Sequence, residues 1–370
     1  MKILLIHNEG QYFAGAEKVL SYYLEGLQDA RDEFAVATVR GSPVSAVVPA
    51  PIRQIWIPAK QQFSLGRLCL QVCRILGSRR EFPFDLVHGW TARDWELTSL
   101  VGCLARRPAI GTLHDHPRAG FIYPRRQVLM RWCARHGLRR AVCVSQAVSD
   151  ACVAAGYPAK KLAVIHNGLP GLNDPINRMD NPVYRLGFLG VFSERKGLRD
   201  LFFALDELAR INPNPWQAVI AGAARDAAGE SLLANIRQRF SQERWWPQVQ
   251  WHGWVDKPIE FLKTLDLLIV PSSEFDPLPT VLLEAGGTGL PVLAARVGGV
   301  EEIIIPDQTG WLFERGNWRQ AAEVLNQLLA EPQRLKLAGA AAFQRIRADF
   351  TVGKMIDNYL KVYSTSHSNV

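Results

Sequence analysis

The stretch that decides the fold is KILLIHNEGQYFAGAEKVLSYYLEG, residues 2–26. It opens with a short apolar run, passes through a turn containing glycine and polar residues, and continues into a segment whose apolar residues recur with helical spacing. A continuous apolar run is typical of a strand buried on both faces, and the amphipathic segment is typical of the helix that covers such a sheet. The stretch therefore predicts the first strand–helix unit of a parallel sheet.

The same alternation extends in both halves of the chain. Apolar runs alternate with amphipathic segments up to VIHNG at 164–168 and resume with YRLGFLG at 184–190. Between them lies PGLNDPINRMDNP at 170–182, whose proline, asparagine and glycine residues predict a linker. From residue 317 onward the pattern is helical, with breaks predicted near Pro332 and at Asp349–Phe350.

We predict an α/β protein with two Rossmann-like parallel-sheet domains facing across a cleft. The N-terminal domain spans residues 1–173, the C-terminal domain spans 183–348, and residues 349–370 form a final helix that packs on one of the two, with the N-terminal domain as the candidate. In such sheets ligands bind beyond the carboxyl ends of the strands, so functional residues are expected in the loops that follow strands.

Composition limits the class of protein. With 370 residues and 48% hydrophobic content the chain can fill two cores, which excludes a disordered or fibrous protein. The first apolar run is too short for a signal peptide or a membrane span. The six cysteines form no CxxC pair, and we predict buried, reduced thiols in a cytoplasmic protein.

Charge is distributed unevenly. Residues 1–173 contain 22 Lys and Arg against 12 Asp and Glu, whereas the remainder contains 21 against 23. The first half is therefore expected to meet an anionic partner. Seven arginines interleave with apolar residues in the segment 118–140. This pattern favours a peripheral contact with an anionic membrane or an anionic acceptor, with a solvated helix face as the alternative; no nucleic-acid-binding motif accompanies it.

Polar residues follow three of the predicted strands. Ala14, Gly15 and Glu17 lie where the first strand turns into a helix, a place where backbone N–H groups can approach an anion. His114 follows the strand PAIGTL and is a candidate active-site residue. Arg195 and Lys196 lie at the N-terminus of a helix predicted to open at about Gly197 in the second domain, where two cations at a positive helix end favour a bound phosphate.

The segment EFDPLPTVLLEAGG, 274–287, places two carboxylates in an apolar run, with a helix predicted to start at Pro279 or Thr280. Carboxylates are seldom buried without a partner. Asp276 and Glu284 can bind a metal, act as acid and base, or accept hydrogen bonds from hydroxyl groups. The structural alternatives are a helix cap for Asp276 and a buried arginine pair for Glu284.

Together these residues resemble the retaining nucleotide-sugar glycosyltransferases of the GT-B fold, family 4. The carboxylate pair with seven residues between, followed by GLPVLAARVGGVEEII and TGWLF within 289–313, is the most specific part. Supporting motifs are AGAEKVL (14–20), GTLHD (111–115), VIHNG (164–168), SERKG (193–197) and HGWVDK (252–257).

The resemblance implies a role for each matching residue. Glu284 accepts hydrogen bonds from the ribose, and Asp276 contacts hydroxyls of the donor sugar. Lys196 holds the diphosphate, and His114 stands beside the reactive face of the sugar. The implied donor-binding set is Ala14, Gly15, Arg195, Lys196, Trp254, Val255, Asp276, Leu278, Pro279, Thr280 and Glu284, with Glu17 and His114 on the acceptor side and His114, Lys196 and Asp276 as the catalytic residues.

The implied activity is a metal-independent, retaining hexosyltransferase. It uses a UDP- or GDP-linked sugar and no cofactor, and it acts on a glycan or lipid-linked acceptor in cell-envelope or polysaccharide synthesis. The protein is then cytoplasmic, with peripheral contact at the inner face of the membrane. Two departures from the family pattern, Val191 where arginine is usual and Asp276 where glutamate is frequent, keep an inert nucleotide-sugar-binding subunit open, and a GT-B nucleotide-sugar epimerase is a further alternative.

Overall fold

The computed structural model describes the chain except for residues 12, 28–29, 60–63, 121, 172–174, 176–182 and 369–370. The predicted linker at 170–182 thus lies largely outside the described residues. The chain forms two compact units: Met1–Pro170 together with Thr351–Val370, and Gly171–Phe350. Among the described residues no helix is both long and apolar enough to cross a bilayer.

The first unit is built on a parallel sheet with the described order β3-β2-β1-β4-β5-β6-β7. Its strands are β1 Lys2–His7, β2 Glu33–Val39, β3 Arg53–Ile57, β4 Leu86–Gly89, β5 Ala109–Leu113, β6 Arg140–Cys143 and β7 Leu162–Val164. Every residue of β4 and β5 is buried, as expected for central strands covered by helices on both faces.

Helices cover both faces of this sheet. They are α1 Gly15–Gly26, α2 Pro43–Val47, α3 Leu65–Gly77, α4 Trp95–Ala105, α5 Pro124–Trp132 and α6 Gln146–Ala154, and α5 continues as a π-helix over Cys133–Gly137. One core contains α1, and the core on the opposite face contains the inner sides of α3 and α4.

The second unit repeats the architecture with the described order β10-β9-β8-β11-β12-β13, again all parallel. Its strands are β8 Tyr184–Leu189, β9 Trp216–Ala221, β10 Val249–Gly253, β11 Leu267–Val270, β12 Val292–Ala295 and β13 Trp311–Phe313. Its helices are α7 Leu198–Ile211, α8 Ala227–Phe240, α9 Pro258–Leu262, α10 Thr280–Gly287, α11 Val300–Ile303, α12 Trp318–Ala330 and α13 Pro332–Asp349. The predicted fold class, two Rossmann-like parallel sheets, is confirmed.

The last helix, α14 Val352–His367, returns to the first unit and packs against α1. A buried polar network fixes it there: the Tyr363 hydroxyl contacts Nδ1 of His88 at 2.8 Å and the Tyr23 hydroxyl at 3.1 Å. Nε2 of His88 lies 2.8 Å from the Thr112 hydroxyl, which lies 3.1 Å from the hydroxyl of Tyr359. Because each partner is buried, the network specifies how the helix docks.

The prediction of buried cysteines is only half right. Cys133, Cys143 and Cys152 are buried free thiols, whereas the remaining three, Cys69, Cys73 and Cys103, are exposed free thiols on α3 and α4. Cysteine counts as an apolar residue in a sequence pattern, so only the tertiary structure shows that these three thiols lie on the solvent side of their helices.

Candidate active site

Each sheet reverses its strand order at one place. In the first unit the reversal lies between β1 and β4, and in the second it lies between β8 and β11. Loops that leave the carboxyl ends of neighbouring strands diverge at such a switch point, which leaves a crevice where α/β proteins bind ligands. Several of the predicted site residues lie on the loops at these two places.

In the first unit Glu17 organises the start of α1. Its Oε2 accepts the N–H of Ala14 at 2.9 Å, and its Oε1 lies 3.2 Å from Nε2 of His7, the last residue of β1. Ala14 is the N-cap residue of α1, so this bond is the half of a capping box that the glutamate at the third helical position provides, and it satisfies the N–H of the residue before the helix. The local sequence thus gives Glu17 a structural role in addition to the predicted acceptor-side role.

Opposing effects set the charge of the His7–Glu17 pair. Burial alone lowers the pKa of His7, but its hydrogen bond to Glu17 and the charges of Asp94, Glu17 and Glu9 outweigh burial and raise that pKa above 6.5. Burial alone raises the pKa of Glu17, but the hydrogen bond and charge of His7 lower it below 4.5. The pair therefore favours the ionised form on both sides.

Gly15, the first residue of α1, has room beside it. A Cβ built at this position meets no described atom within 4 Å, and the residue does not adopt positive φ. Neither backbone geometry nor described packing therefore requires glycine here, and glycine costs a helix stability. The open space beside a helix N-terminus suits the close approach of an anionic ligand.

His114 follows β5, one strand beyond the switch point. Its ring lies 5.4 Å from that of the buried Trp90, measured between centroids, and its shielded Nε2 has no hydrogen-bond partner among the described residues. Burial lowers the pKa of His114 to about 4. The imidazole is thus neutral near pH 7 and can exchange a hydrogen bond with a ligand hydroxyl.

Asp94 completes the polar cluster of the first unit. It is fully buried, and its carboxylate accepts the N–H of Asn8 at 2.9 Å and both the N–H and the hydroxyl of Thr91 at 2.8 Å. Burial raises the pKa of Asp94 despite these donors and the nearby charge of His7. The hydrogen bond to Asn8 ties the loop after β4 to the end of β1 across the switch point.

In the second unit the structure brings Lys196 and Asp276 together at the switch point. Nζ of Lys196 lies 2.5 Å from Oδ2 of Asp276, and the Ser272 hydroxyl donates to the same oxygen at 3.3 Å. Asp276 is buried, while the Lys196 side chain retains 22% exposure. Sequence reasoning gave these residues separate ligand contacts and did not predict that they pair.

Two glycines allow the loops that carry this pair to approach. Gly197 has φ +71, and a Cβ there would lie 1.7 Å from the carbonyl oxygen of Pro271. Gly298 has φ +54, and its Cβ would lie 2.0 Å from the carbonyl oxygen of Asp276. That carbonyl also accepts the N–H of Gly299 at 2.9 Å. Only glycine combines this backbone conformation with such close contact.

The segment after Asp276 leads into α10. Leu278 and Pro279 are buried, and the helix begins at Thr280, as predicted. Glu284 lies one turn into α10 and is 2% exposed. The structure thus places both carboxylates on the loop and helix that follow β11, with Asp276 before the helix and Glu284 within it.

The remaining predicted donor residues are more exposed. Arg195 is exposed, although its carbonyl accepts the N–H of Ser273 at 3.0 Å. Trp254 and Val255 follow β10, away from the switch point. Trp254 is 56% exposed, and the guanidinium carbon of Arg225 lies 5.3 Å from its ring centroid. The guanidinium thus stands over one face of an exposed indole ring.

The structure shows that several arginines of the basic segment 118–140 are bonded within the fold. At least four of its seven arginines donate hydrogen bonds to nearby groups: Arg126 to Glu96, Arg131 to the carbonyl of Ala155, Arg135 to that of Gly156 and Arg140 to that of Lys160. These side chains stabilise the fold, so the segment is not a uniform solvent-facing basic stripe. Phe121 lies outside the described residues.

Sequence reasoning missed His7, Asp94 and Arg225. His7 and Asp94 lie on the carboxyl side of β1 and β4, so their position after apolar runs was a usable signal. Arg225 follows β9 but lacks any local pattern, and only the tertiary contact with Trp254 identifies it. Among the described residues there is no group of three or more His, Cys, Asp or Glu arranged to hold a metal.

Two parallel sheets of this kind, each with a polar cluster at its switch point, define a GT-B class protein. Two family models match consecutive parts of the chain: Glycosyltransferase Family 4 over residues 13–170 and Glycosyl transferases group 1 over residues 173–345. The chain therefore belongs to the family 4 glycosyltransferases of the GT-B fold.

Relatives agree with this family. The chain is 24% identical to the glycogen synthase of Mycobacterium tuberculosis, over 74% of this chain and 67% of that protein. It is 28% identical to the phosphatidyl-myo-inositol mannosyltransferase of Propionibacterium freudenreichii, over 69% of this chain and 64% of that protein. The crystal structure of Anabaena HepE with UDP-glucose superposes with a TM-score of 0.82 at 22% identity, covering 99% of this chain and 100% of that one.

Proposed function

We propose that this glycosyltransferase moves a hexose from a UDP- or GDP-linked donor to a hydroxyl of a glycan or lipid-linked acceptor, with retention of configuration and without a metal ion. The observation that carries the proposal is the Lys196–Asp276 pair, a cation and a hydroxyl-binding carboxylate held 2.5 Å apart at a switch point. A diphosphate sugar requires both groups: a cation for its phosphates and an acceptor for its hydroxyls.

The mechanism follows from where charge develops. The bond between the anomeric carbon and the phosphate oxygen breaks, the anomeric carbon becomes oxocarbenium-like, and the nucleoside diphosphate leaves. The acceptor oxygen bonds to the same face, and its proton passes to the departing phosphate. Lys196 and the exposed Arg195 stabilise the charge that grows on the phosphate. No protein nucleophile takes part.

The other residues position the reactants. We assign Asp276 to hydroxyls of the donor sugar and Glu284 to the ribose. Trp254, together with Arg225, offers a surface on which a base can stack. In the first unit, His114 is neutral near pH 7 and serves a sugar or acceptor hydroxyl, while Glu17 fixes the turn at 14–15.

The relatives guide the choice of substrates to test. HepE was solved with UDP-glucose, so UDP-linked hexoses are tested first and GDP-linked hexoses second. The two curated relatives are named for a glycan product and a phosphatidylinositol substrate, which supports testing oligosaccharide and lipid acceptors. We also propose a cytoplasmic location with peripheral membrane contact; on the segment 118–140, Arg118 and Arg125 are exposed for such contact.

The deciding experiment incubates the chain with a panel of nucleotide sugars, with and without a chelator, and follows release of nucleoside diphosphate and the anomeric configuration of the product. Turnover that disappears in Lys196→Ala and Glu284→Ala, but persists in the variant Lys361→Ala of an exposed lysine on α14, supports the proposal. Tight donor binding without turnover on any acceptor extract indicates an inert binding subunit. Interconversion of nucleotide sugars without an acceptor indicates an epimerase.

A further inference from the structure

The outward face of α3 and α4 has an unusual composition for a solvent-exposed surface. The exposed residues of α4 are Leu100, Cys103 and Leu104. The exposed residues of α3 are Leu65, Gly66, Arg67, Cys69, Leu70, Cys73, Arg74 and Gly77. Ordinary surface helices carry charged and polar residues of both signs on this side. Here all the exposed side chains are apolar, thiol or arginine.

These exposed residues form one face because of how the helices pack. The inner residues Val72 and Ile75 of α3 and Leu97 and Val101 of α4 belong to one core against the same side of the sheet. The two helices also contact each other. Their solvent-facing sides therefore point away from the sheet in the same direction, and we call them the α3–α4 face.

The leucines of the α3–α4 face are far from buried. Leu65 is 69% exposed, Leu70 60%, Leu100 40% and Leu104 61%. Single exposed leucines are normal, but several on two neighbouring helices make an apolar patch, and such patches mark interaction sites. The intrinsic stability of the unit gives no reason for them, because the inner sides of both helices already form the core.

The charge near the α3–α4 face indicates an anionic partner. The sequence 64–80 contains four arginines, 67, 74, 79 and 80, and 97–108 contains two more, 106 and 107; neither stretch contains Asp or Glu. The acidic residue of α4, Glu96, is buried and bonded to Arg126. The exposed residues of α3 and α4 include arginine and no acidic residue. Such an apolar and basic surface suits an anionic bilayer, in which leucines enter the acyl boundary and arginines meet phosphate groups. A second copy of the same face would instead bring arginines against arginines.

We propose that the α3–α4 face docks the protein on an anionic lipid membrane, with Leu70, Leu100 and Leu104 inserted. The segment 118–140 lies beside it, since α4 packs against both α5 and the π-helix Cys133–Gly137, but much of the arginine content of that segment is bonded within the fold. The α3–α4 face, and not the segment predicted from sequence, provides the main contact. This docking is independent of the proposed transfer reaction.

The test is co-sedimentation of the full chain with vesicles of phosphatidylglycerol and phosphatidylcholine, and with vesicles of phosphatidylcholine alone. The wild type is expected to bind the anionic vesicles, more weakly as salt increases. Each inserted leucine contributes about tenfold in partitioning, so the variant Leu70→Gln/Leu100→Gln/Leu104→Gln is expected to lose binding by at least about 100-fold. The control is Leu337→Gln, a leucine on α13 that is 71% exposed.

A fluorescence readout separates insertion from loss of fold. An environment-sensitive dye on Cys103, in a chain carrying Cys69→Ser and Cys73→Ser, is expected to shift to shorter wavelength with anionic vesicles. The same dye on Leu337→Cys, in a chain that also carries Cys103→Ser, is expected not to shift. Thermal unfolding of the triple leucine variant should match the wild type, because all three positions are exposed.

Four outcomes overturn the proposal. The first is unchanged binding in the triple variant, and the second is loss of binding only in Arg125→Ser/Trp132→Ser, which would move the contact to α5. The third is a concentration-dependent dimer that the leucine changes dissociate, without vesicle binding. The fourth is a monomer that binds neither kind of vesicle. None of these measurements uses donor or acceptor, so their failure leaves the proposed glycosyl transfer standing.

Discussion

The Lys196–Asp276 pair predicts opposite effects of its two partners on nucleoside diphosphate binding. In the structure the Asp276 carboxylate contacts Nζ of Lys196 at 2.5 Å. A diphosphate that approaches Lys196 therefore competes with this carboxylate and is repelled by it. Lys196→Met removes the phosphate-binding cation, whereas Asp276→Asn removes the competitor and keeps the shape of the side chain.

The expected changes in nucleoside diphosphate affinity follow from the charge that each variant removes. Losing a charge-assisted contact to a phosphate costs about 2–3 kcal/mol, so Lys196→Met is expected to weaken UDP or GDP binding by about 30- to 150-fold. Asp276→Asn is expected to leave that affinity unchanged or to raise it up to about tenfold, while donor-sugar turnover is lost because the hydroxyl acceptor is weakened.

The free energy of unfolding is expected to fall more in Lys196→Met than in Asp276→Asn, because the first variant leaves the more buried partner unpaired. Removing one partner of a fully buried pair costs about 3–5 kcal/mol. Because the Lys196 side chain is 22% exposed, we expect a loss of about 2 kcal/mol for Lys196→Met. This variant leaves the buried Asp276 carboxylate with the hydrogen bond from the Ser272 hydroxyl. Asp276→Asn should cost less, about 1 kcal/mol, since the lysine can turn toward water.

Isothermal titration with UDP and GDP, and urea unfolding of the same samples, provide the readouts. Arg199→Met serves as the control, because Arg199 is an exposed cation paired with Glu194 on the surface. Equal weakening of nucleoside diphosphate binding by Lys196→Met and Asp276→Asn would refute the competition argument. It would show that the carboxylate holds Lys196 in place for the phosphate.

Three further predictions concern the scaffold. Gly298→Ala is expected to destabilise the chain by about 2 kcal/mol or more, because the added Cβ meets the Asp276 carbonyl at 2.0 Å. Gly15→Ala is expected to keep stability or raise it slightly, since alanine favours a helix, and to lower turnover. A stability loss in Gly15→Ala would contradict the open space there. Tyr363→Phe is expected to lower the free energy of unfolding in urea by about 1–3 kcal/mol, because it removes the buried hydroxyl that contacts His88 and Tyr23. The control Tyr123→Phe should have no effect, since Tyr123 is 78% exposed. Equal effects of the two variants would argue against the network. Because the pKa of His7 is raised in the folded state, protonated His7 is expected to stabilise the fold fully below pH 6.5, and this contribution is lost as pH rises through the pKa of the folded state. The stability difference between the wild type and His7→Gln should therefore shrink with rising pH. A difference independent of pH would show that His7 is not charged in the folded state.

Local pattern was enough to predict the architecture. Strand–helix alternation, the start of α10 at Thr280 and the helix breaks near Pro332 and Phe350 are confirmed because period, proline and turn residues act within a few positions along the chain. The residue types at strand ends likewise identified Glu17, His114, Lys196, Asp276 and Glu284 as candidates, since every parallel strand directs its following loop to the same edge of the sheet.

Contacts between residues distant in sequence could be decided only by the tertiary structure. The pairing of Lys196 with Asp276 depends on β8 and β11 becoming neighbours at the strand reversal, which no local pattern encodes. Three further features also depend on contacts between distant elements. They are the hydrogen bonds of Arg126 and Arg131 within the fold, the docking of α14 through Tyr363, and the outward position of the cysteines of α3 and α4. Each depends on which side chain of a distant element fills the space nearby, and that is determined by packing of the whole unit and not by the period of one segment.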